Sequence, residues 1–169
     1  MKFALLVLTA SGLVQAQQTR LPSFDEYKVS EVFSGKPAAP RLTTAFARNF
    51  ATAIREGAAR GPNFAGNFSI VQWGCGTECI QMAVIDEKNG SVSRGPFVTL
   101  AFGPQLIWHG NSPEADRFEP VSFQLDSRLL VVRGCPEENE KDCAFFYYEW
   151  GGKNFRLLQK LIPPPPPRF

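Results

Sequence analysis

The single histidine is the residue of this chain best suited to acid–base chemistry. His109 is the one histidine available as the base of a Ser-His-Asp or Cys-His arrangement. It lies in the polar loop Trp108-His-Gly-Asn-Ser112, which could approach a site. The sequence has no Gly-x-Ser-x-Gly elbow to carry a matching nucleophile. A small secreted hydrolase using His109 is therefore kept as the alternative function, and His109 as a weak catalytic candidate.

Carboxylates are the other groups that could carry catalysis or hold a metal. A pair of them could hydrolyse glycosides, but the chain has 16 acidic residues, a number expected on a solvated surface. The acidic segment 136–142 lacks the spaced Asp/Asn series and the glycine of an EF-hand calcium loop. We expect no metal site and no cofactor. The candidate carboxylates for a pair are Glu78, Asp86, Glu114, Asp116 and Glu149.

If the chain is exported, its four cysteines are most simply two disulfides. Three pairings are possible, and proximity favours Cys75 with Cys79 and Cys135 with Cys143. The Cys-x3-Cys spacing is compatible with zinc, but the Cys-x7-Cys spacing fits zinc poorly. Thioredoxin-type redox pairs have two residues between the cysteines, whereas Cys75 and Cys79 have three.

The elements that must position these groups centre on residues 64–86. Phe68 to Trp73 and Ile80 to Ile85 are β-branched and aromatic, which predicts two strands with largely buried faces. The glycine-rich corner Gly74 to Cys79 separates them. A Cys75–Cys79 bridge would fix the shape of this exposed turn.

The first sixteen residues are typical of a secretory signal. Lys2 is followed by an apolar run and by Val14-Gln-Ala16, a small-residue cleavage site. The run is too short to span a membrane. The sequence therefore predicts a periplasmic or secreted protein without a membrane span.

Composition limits the partners. The formal net charge is +2, with 18 basic and 16 acidic side chains and no basic stripe. Nucleic-acid binding needs such a stripe to contact phosphates, so we expect none. The remaining partner is an unknown protein or carbohydrate of the cell envelope or exterior, and we expect a monomer.

Periodicity divides the rest of the chain into one domain and two flanking segments. Residues 17–40 predict an irregular arm, 41–162 a single β-rich domain, and 163–169 a polyproline tail. Residues 43–60 have helical spacing. Asn89-Gly90, Asp126 to Arg128 and Gly151 to Asn154 predict hairpin turns. The fold class is mainly β (α+β): an antiparallel meander sheet or small open barrel with one flanking N-terminal helix.

The hairpins are also similar to blades of a β-propeller, but the strand pattern is too short for a closed ring. The region 64–86 resembles a set of small exported bacterial proteins of uncharacterised role. The motifs that carry the resemblance are Phe64-Ala-Gly66, Trp73-Gly-Cys-Gly76 and Cys79. The resemblance implies export and a disulfide, and it implies no activity.

These observations favour a non-catalytic binding or inhibitory module over an enzyme, without excluding one. Rigidity is concentrated in loops, and ordering a loop before binding reduces the entropic cost of recognition. The aromatic residues Trp73, Trp108, Trp150, Tyr147 and Tyr148 could add a recognition surface or simply fill the core, and we favour the core. The predicted binding residues are Trp73, Gly74, Gly76, Thr77, Glu78, Trp108 and His109.

Overall fold

The computed structural model of the protein describes residues 20–77, 79–96, 99–100 and 119–162. The predicted signal peptide at 1–16, the polyproline tail at 163–169 and the site candidates Glu78, Trp108 and His109 lie outside these residues. Within the described ranges, none of the helices has the length and apolar character needed to cross a bilayer.

The described part of the chain is mainly antiparallel β-sheet, which confirms the predicted fold class. Its strands follow the order β1-β2-β4-β6-β7-β8, while β3 pairs with β2 and β5 with β6. β1 and β8 lie at opposite ends of this order, so the sheet is open rather than a closed barrel. The strands are β1 (Phe68–Gly76), β2 (Cys79–Asp86), β3 (Val92–Arg94), β4 (Thr99–Leu100), β5 (Val121–Phe123), β6 (Leu129–Pro136), β7 (Ala144–Trp150) and β8 (Phe155–Leu161).

The short strand β4 joins two halves of the sheet. On one side it pairs with the start of β2, and on the other with the end of β6. β2 and β6 both run antiparallel to β4. Among the described strands, the β1–β3 half and the β5–β8 half are therefore joined by backbone pairing only through β4.

One large core cluster contains residues from both halves. It includes Ile70, Met82 and Val84 from β1 and β2, and Leu130, Val132, Phe146 and Trp150 from β6 and β7. These positions alternate along each strand, as expected when one face of a sheet is buried. Apolar packing between the two halves thus adds to the pairing through β4.

The segment predicted as one helix forms two short helices, α1 (Ala45–Asn49) and α2 (Ala51–Ala58). Thr44 caps α1 by accepting a hydrogen bond from the Ala47 N–H at 3.0 Å. Phe50 interrupts the helical dihedrals with φ −112° and ψ 27°. The interruption coincides with the packing of Phe46 and Phe50 on Trp73, with ring centroids 6.0 and 4.8 Å away.

A glycine in a helix is ordinarily destabilising, but Gly57 of α2 is an exception. Gly57 is buried, and a Cβ there would lie 2.1 Å from a methyl group of Val71 in β1. We expect Gly57→Ala to lower the free energy of unfolding by about 1–3 kcal/mol, because overpacking outweighs the helix propensity of alanine. Denaturant unfolding measures the change. In a Val71→Ala background the same substitution should cost less, and an equal cost in both backgrounds would contradict the contact.

The N-terminal arm crosses the turns of the sheet. The N–H groups of Val29, Phe33 and Ala38 donate to the carbonyls of Asp126, Gly66 and Glu87 at 2.8 to 2.9 Å. Two positive-φ glycines allow its close approach: a Cβ at Gly66 would lie 2.4 Å from the Glu31 carbonyl, and one at Gly90 2.1 Å from the Ala39 carbonyl. The arm is thus hydrogen-bonded to both halves of the sheet.

Candidate functional site

The first candidate element is the turn between β1 and β2, braced by a disulfide between Cys75 and Cys79. The pairing register shifts between Gly74 and Gly76, which inserts Cys75 as an extra residue on β1. Gly76 has φ +149°, a conformation that favours glycine. Residues 74–77 are exposed while Cys79 is buried. The bridge therefore anchors an exposed turn to the body of the sheet.

A second turn is braced in the same way. Cys135 at the end of β6 and Cys143 just before β7 form the other disulfide, so both pairings predicted from proximity are confirmed. The intervening residues Glu137 and Glu138 have positive φ values of 50° and 61° and are exposed. Both cysteines are buried, with exposures of 0 % and 7 %. This bridge holds a strained, polar turn at the surface.

The two disulfides are neighbours in the sheet. Cys79 pairs with Leu100 of β4, and Leu100 pairs with Cys135 on its other side. Adjacent strands lie about 4.8 Å apart, so the Cα atoms of Cys79 and Cys135 are separated by about 10 Å. β2 begins and β6 ends at this row. The two braced turns therefore leave the row in opposite directions along the strands.

Trp73, a predicted binding residue, occupies a different environment from the exposed turn. Its ring belongs to the cluster between α1, α2 and the sheet, where it contacts Phe46 and Phe50. Its indole nitrogen is buried without a hydrogen-bond partner among the described residues. Arg94 lies over the Phe46 ring, with its guanidinium carbon 5.5 Å from the ring centroid. The structure thus brings Gly74, Gly76 and Thr77 together at the surface, and Trp73 packs beneath the helices.

A cleft of about 450 Å³ has no lining residue in either braced turn. Its lining residues come from the end of β3 and from the β7–β8 hairpin: Ser93, Arg94, Gly95, Pro96, Tyr148, Lys153, Asn154 and Phe155. Burial, with a smaller contribution from the negative charge of Asp142, raises the pKa of Tyr148 to about 12, so its phenol stays protonated at neutral pH. Two basic side chains, Arg94 and Lys153, line this cleft, and both are exposed.

Titratable groups with displaced pKa values lie in the arm, after β2, and in β6 and β7. Burial raises the pKa of Glu87 and of Tyr147 and lowers that of Arg133. A hydrogen bond and ion pair with Asp25 raise the pKa of Lys28 in the arm. Among the described residues, no group of three or more His, Cys, Asp or Glu side chains is arranged to hold a metal ion.

The sequence did not indicate that the two braced turns are anchored in the same row of the sheet. The connection runs through Leu100, whose pairing with both Cys79 and Cys135 is non-local and has no local sequence signal. The one available signal was the second closely spaced cysteine pair, because a loop that is merely solvated does not need a disulfide. Comparisons of this chain with protein-family models, with curated proteins and with solved structures gave no significant match.

Proposed function

We propose that this protein is an exported, non-catalytic binding or inhibitory module whose contact surface comprises the two braced turns, residues 74–77 and 137–142. The observation that carries the proposal is the row Cys79, Leu100 and Cys135, which ties both disulfides to one strand of the sheet. The partner is a protein or carbohydrate of the cell envelope or exterior.

Rigidity supports recognition as the role of these turns. A loop that is ordered before binding loses little conformational entropy on association, so more of the contact energy appears as affinity. The turns are exposed at Gly74, Thr77, Glu137, Glu138 and Lys141. A standard interface covers about 800 Å² per partner, or roughly 30 Å across, which is wide enough to include both turns.

The disulfides also support export. Such bonds persist in oxidising compartments and are rare in the cytosol of mesophiles. Together with the signal-like residues 1–16, they favour a periplasmic or secreted location.

The test is quantitative capture of partners from a native envelope extract by immobilised protein. We expect Thr77→Arg and Lys141→Glu each to weaken capture of the same partner by about tenfold, since a misplaced charge at an interface costs binding energy. Both side chains are exposed, so the folded state should be unchanged, as circular dichroism can verify.

Lys153→Glu is the matched control, since Lys153 is equally exposed but lines the cleft. We expect it to capture as much partner as the wild type. If Lys153→Glu loses capture and the other two variants do not, the binding site is the cleft and not the braced turns. Equal capture by all three variants would overturn the proposed surface.

A further inference from the structure

A buried carboxylic acid lies beneath the N-terminal arm, away from both braced turns. Glu87 follows β2 and Ser69 lies in β1, and both residues are 0 % exposed. One oxygen of the Glu87 carboxyl, Oε1, is 2.5 Å from the Ser69 hydroxyl oxygen. The other oxygen, Oε2, is buried with no hydrogen-bond partner among the described residues. An ionised carboxylate in this position would be severely under-solvated.

The number of hydrogens on the Ser69 hydroxyl determines whether Glu87 is protonated. The Ser69 oxygen also lies 2.6 Å from the carbonyl oxygen of Gly61, at the end of the α2 segment. A hydroxyl carries one hydrogen, whereas the carbonyl and an ionised carboxylate are both acceptors. With ionised Glu87, one of these two short contacts would join two acceptors. With neutral Glu87, the acid donates to Ser69 and Ser69 donates to Gly61, so both contacts are hydrogen bonds.

The environment of Glu87 also favours its protonated form. Burial is the main cause that raises the pKa of Glu87, and the negative charge of Asp86 raises it further; only a hydrogen bond donated by Ser69 works against them. Asp86 is itself satisfied by the Asn67 and Asn89 side-chain amides at 2.9 and 2.6 Å. The basic residues of the surrounding segments are exposed and do not contribute to the shift: Lys36, Arg41, Arg60 and Lys88.

The same residue holds several segments together. The Glu87 N–H donates to the Asn67 carbonyl, and the Glu87 carbonyl accepts from the Ala38 N–H of the arm, both at 2.9 Å. Arg41, the residue directly after the arm, donates its N–H to the Gly90 carbonyl of the next turn at 2.7 Å. Displacement of Glu87 would therefore disturb the arm, the Asn67 turn and the β2–β3 turn at once.

We propose that Gly61, Ser69 and Glu87 form a pH-dependent switch: neutral Glu87 closes the junction of α2, β1 and the arm, and loss of its proton opens it. Because the folded state binds this proton more tightly than the unfolded state, the contribution of Glu87 is fully present below the ordinary carboxyl pKa. It is lost as the pH rises from there through the folded-state value. The junction is thus closed in acid and opens toward higher pH.

The experiment compares the pH dependence of unfolding in the wild type and in Glu87→Gln. Glutamine stays neutral and can donate to Ser69 as the acid does. We expect the unfolding equilibrium constant of the wild type, relative to that of Glu87→Gln, to rise up to tenfold per pH unit above about pH 4.3. Glu56→Gln, at an exposed site on α2, should follow the wild type. Identical pH dependence in the wild type and Glu87→Gln would overturn the switch.

A measurement on the wild type covers the case in which Glu87→Gln does not fold. Carbon-13 NMR of the glutamate carboxyls should show Glu87 still protonated after the exposed glutamates have ionised. Amide exchange at Ala38 should also accelerate with the loss of that signal. Titration of Glu87 together with the exposed glutamates would refute the proposal, whatever the variant does.

Discussion

Replacing Trp150 with alanine should cost about 3–5 kcal/mol in the free energy of unfolding, the range for removing a buried tryptophan or phenylalanine. Trp150 is 2 % exposed and contacts Phe64, Phe68 and Phe155, with the Phe155 ring centroid at 4.6 Å. Truncation would therefore remove the contacts of three phenylalanine rings at once. Equilibrium denaturation by urea, followed by circular dichroism, measures the loss.

The matched control is Leu157→Ala, a truncation on the adjacent strand β8. Leu157 is 49 % exposed, so we expect a change within about 0.5 kcal/mol. Trp150→Phe should be much milder than alanine, because it keeps an aromatic ring and removes a buried N–H that has no described partner. A cost below about 1 kcal/mol for Trp150→Ala would contradict the assignment of this ring to the shared core.

Removing the Cys135–Cys143 bridge as a double alanine variant should lower the free energy of unfolding by about 2–3 kcal/mol. The loop it closes spans a sequence separation of 8, against 4 for Cys75–Cys79. By the chain-entropy model the shorter bridge contributes about 2 kcal/mol. Because Cys135 and Cys143 are also buried, their replacement loses packing in addition.

The two disulfides should also differ in how fast they are reduced, because they differ in exposure. Cys75 is exposed, so a dithiol reductant should open Cys75–Cys79 first and leave Cys135–Cys143 intact. Alkylation of the released thiols followed by peptide mass mapping gives the order. Faster reduction of Cys135–Cys143, or a smaller stability loss on its removal, would show that the second turn is the more weakly anchored one.

Features that depend on local chemistry were predictable from the sequence. Asn89-Gly90 predicted the turn between β2 and β3, and Gly90 has the positive φ of 73° that such a turn requires. The short spacing within each cysteine pair predicted the correct disulfides. Runs of β-branched and aromatic residues predicted β1 and β2, because such residues pack well on a buried sheet face.

Features that depend on contacts between distant parts of the chain could not be predicted from the sequence. The helix break at Phe50 accompanies packing on Trp73, which no local propensity encodes. From the sequence, Gly57 only weakens the helix. The structure shows that it leaves room for Val71. Glu87 follows a strand and precedes a turn, where a charged residue is normally solvated, so its burial against Ser69 was not expected. The adjacency of the disulfides depends on β4, whose two described residues carry no distinguishing pattern.

Site-specific photo-crosslinking tests most directly whether the two braced turns are one binding surface. A photoreactive residue is placed in turn at Thr77, Lys141 and Lys153 of the exported protein, and adducts are identified by mass. The account predicts that Thr77 and Lys141 crosslink to the same partner and that Lys153 does not. Adducts from Lys153 alone, different partners at the two turns, or no adduct from any position would contradict it.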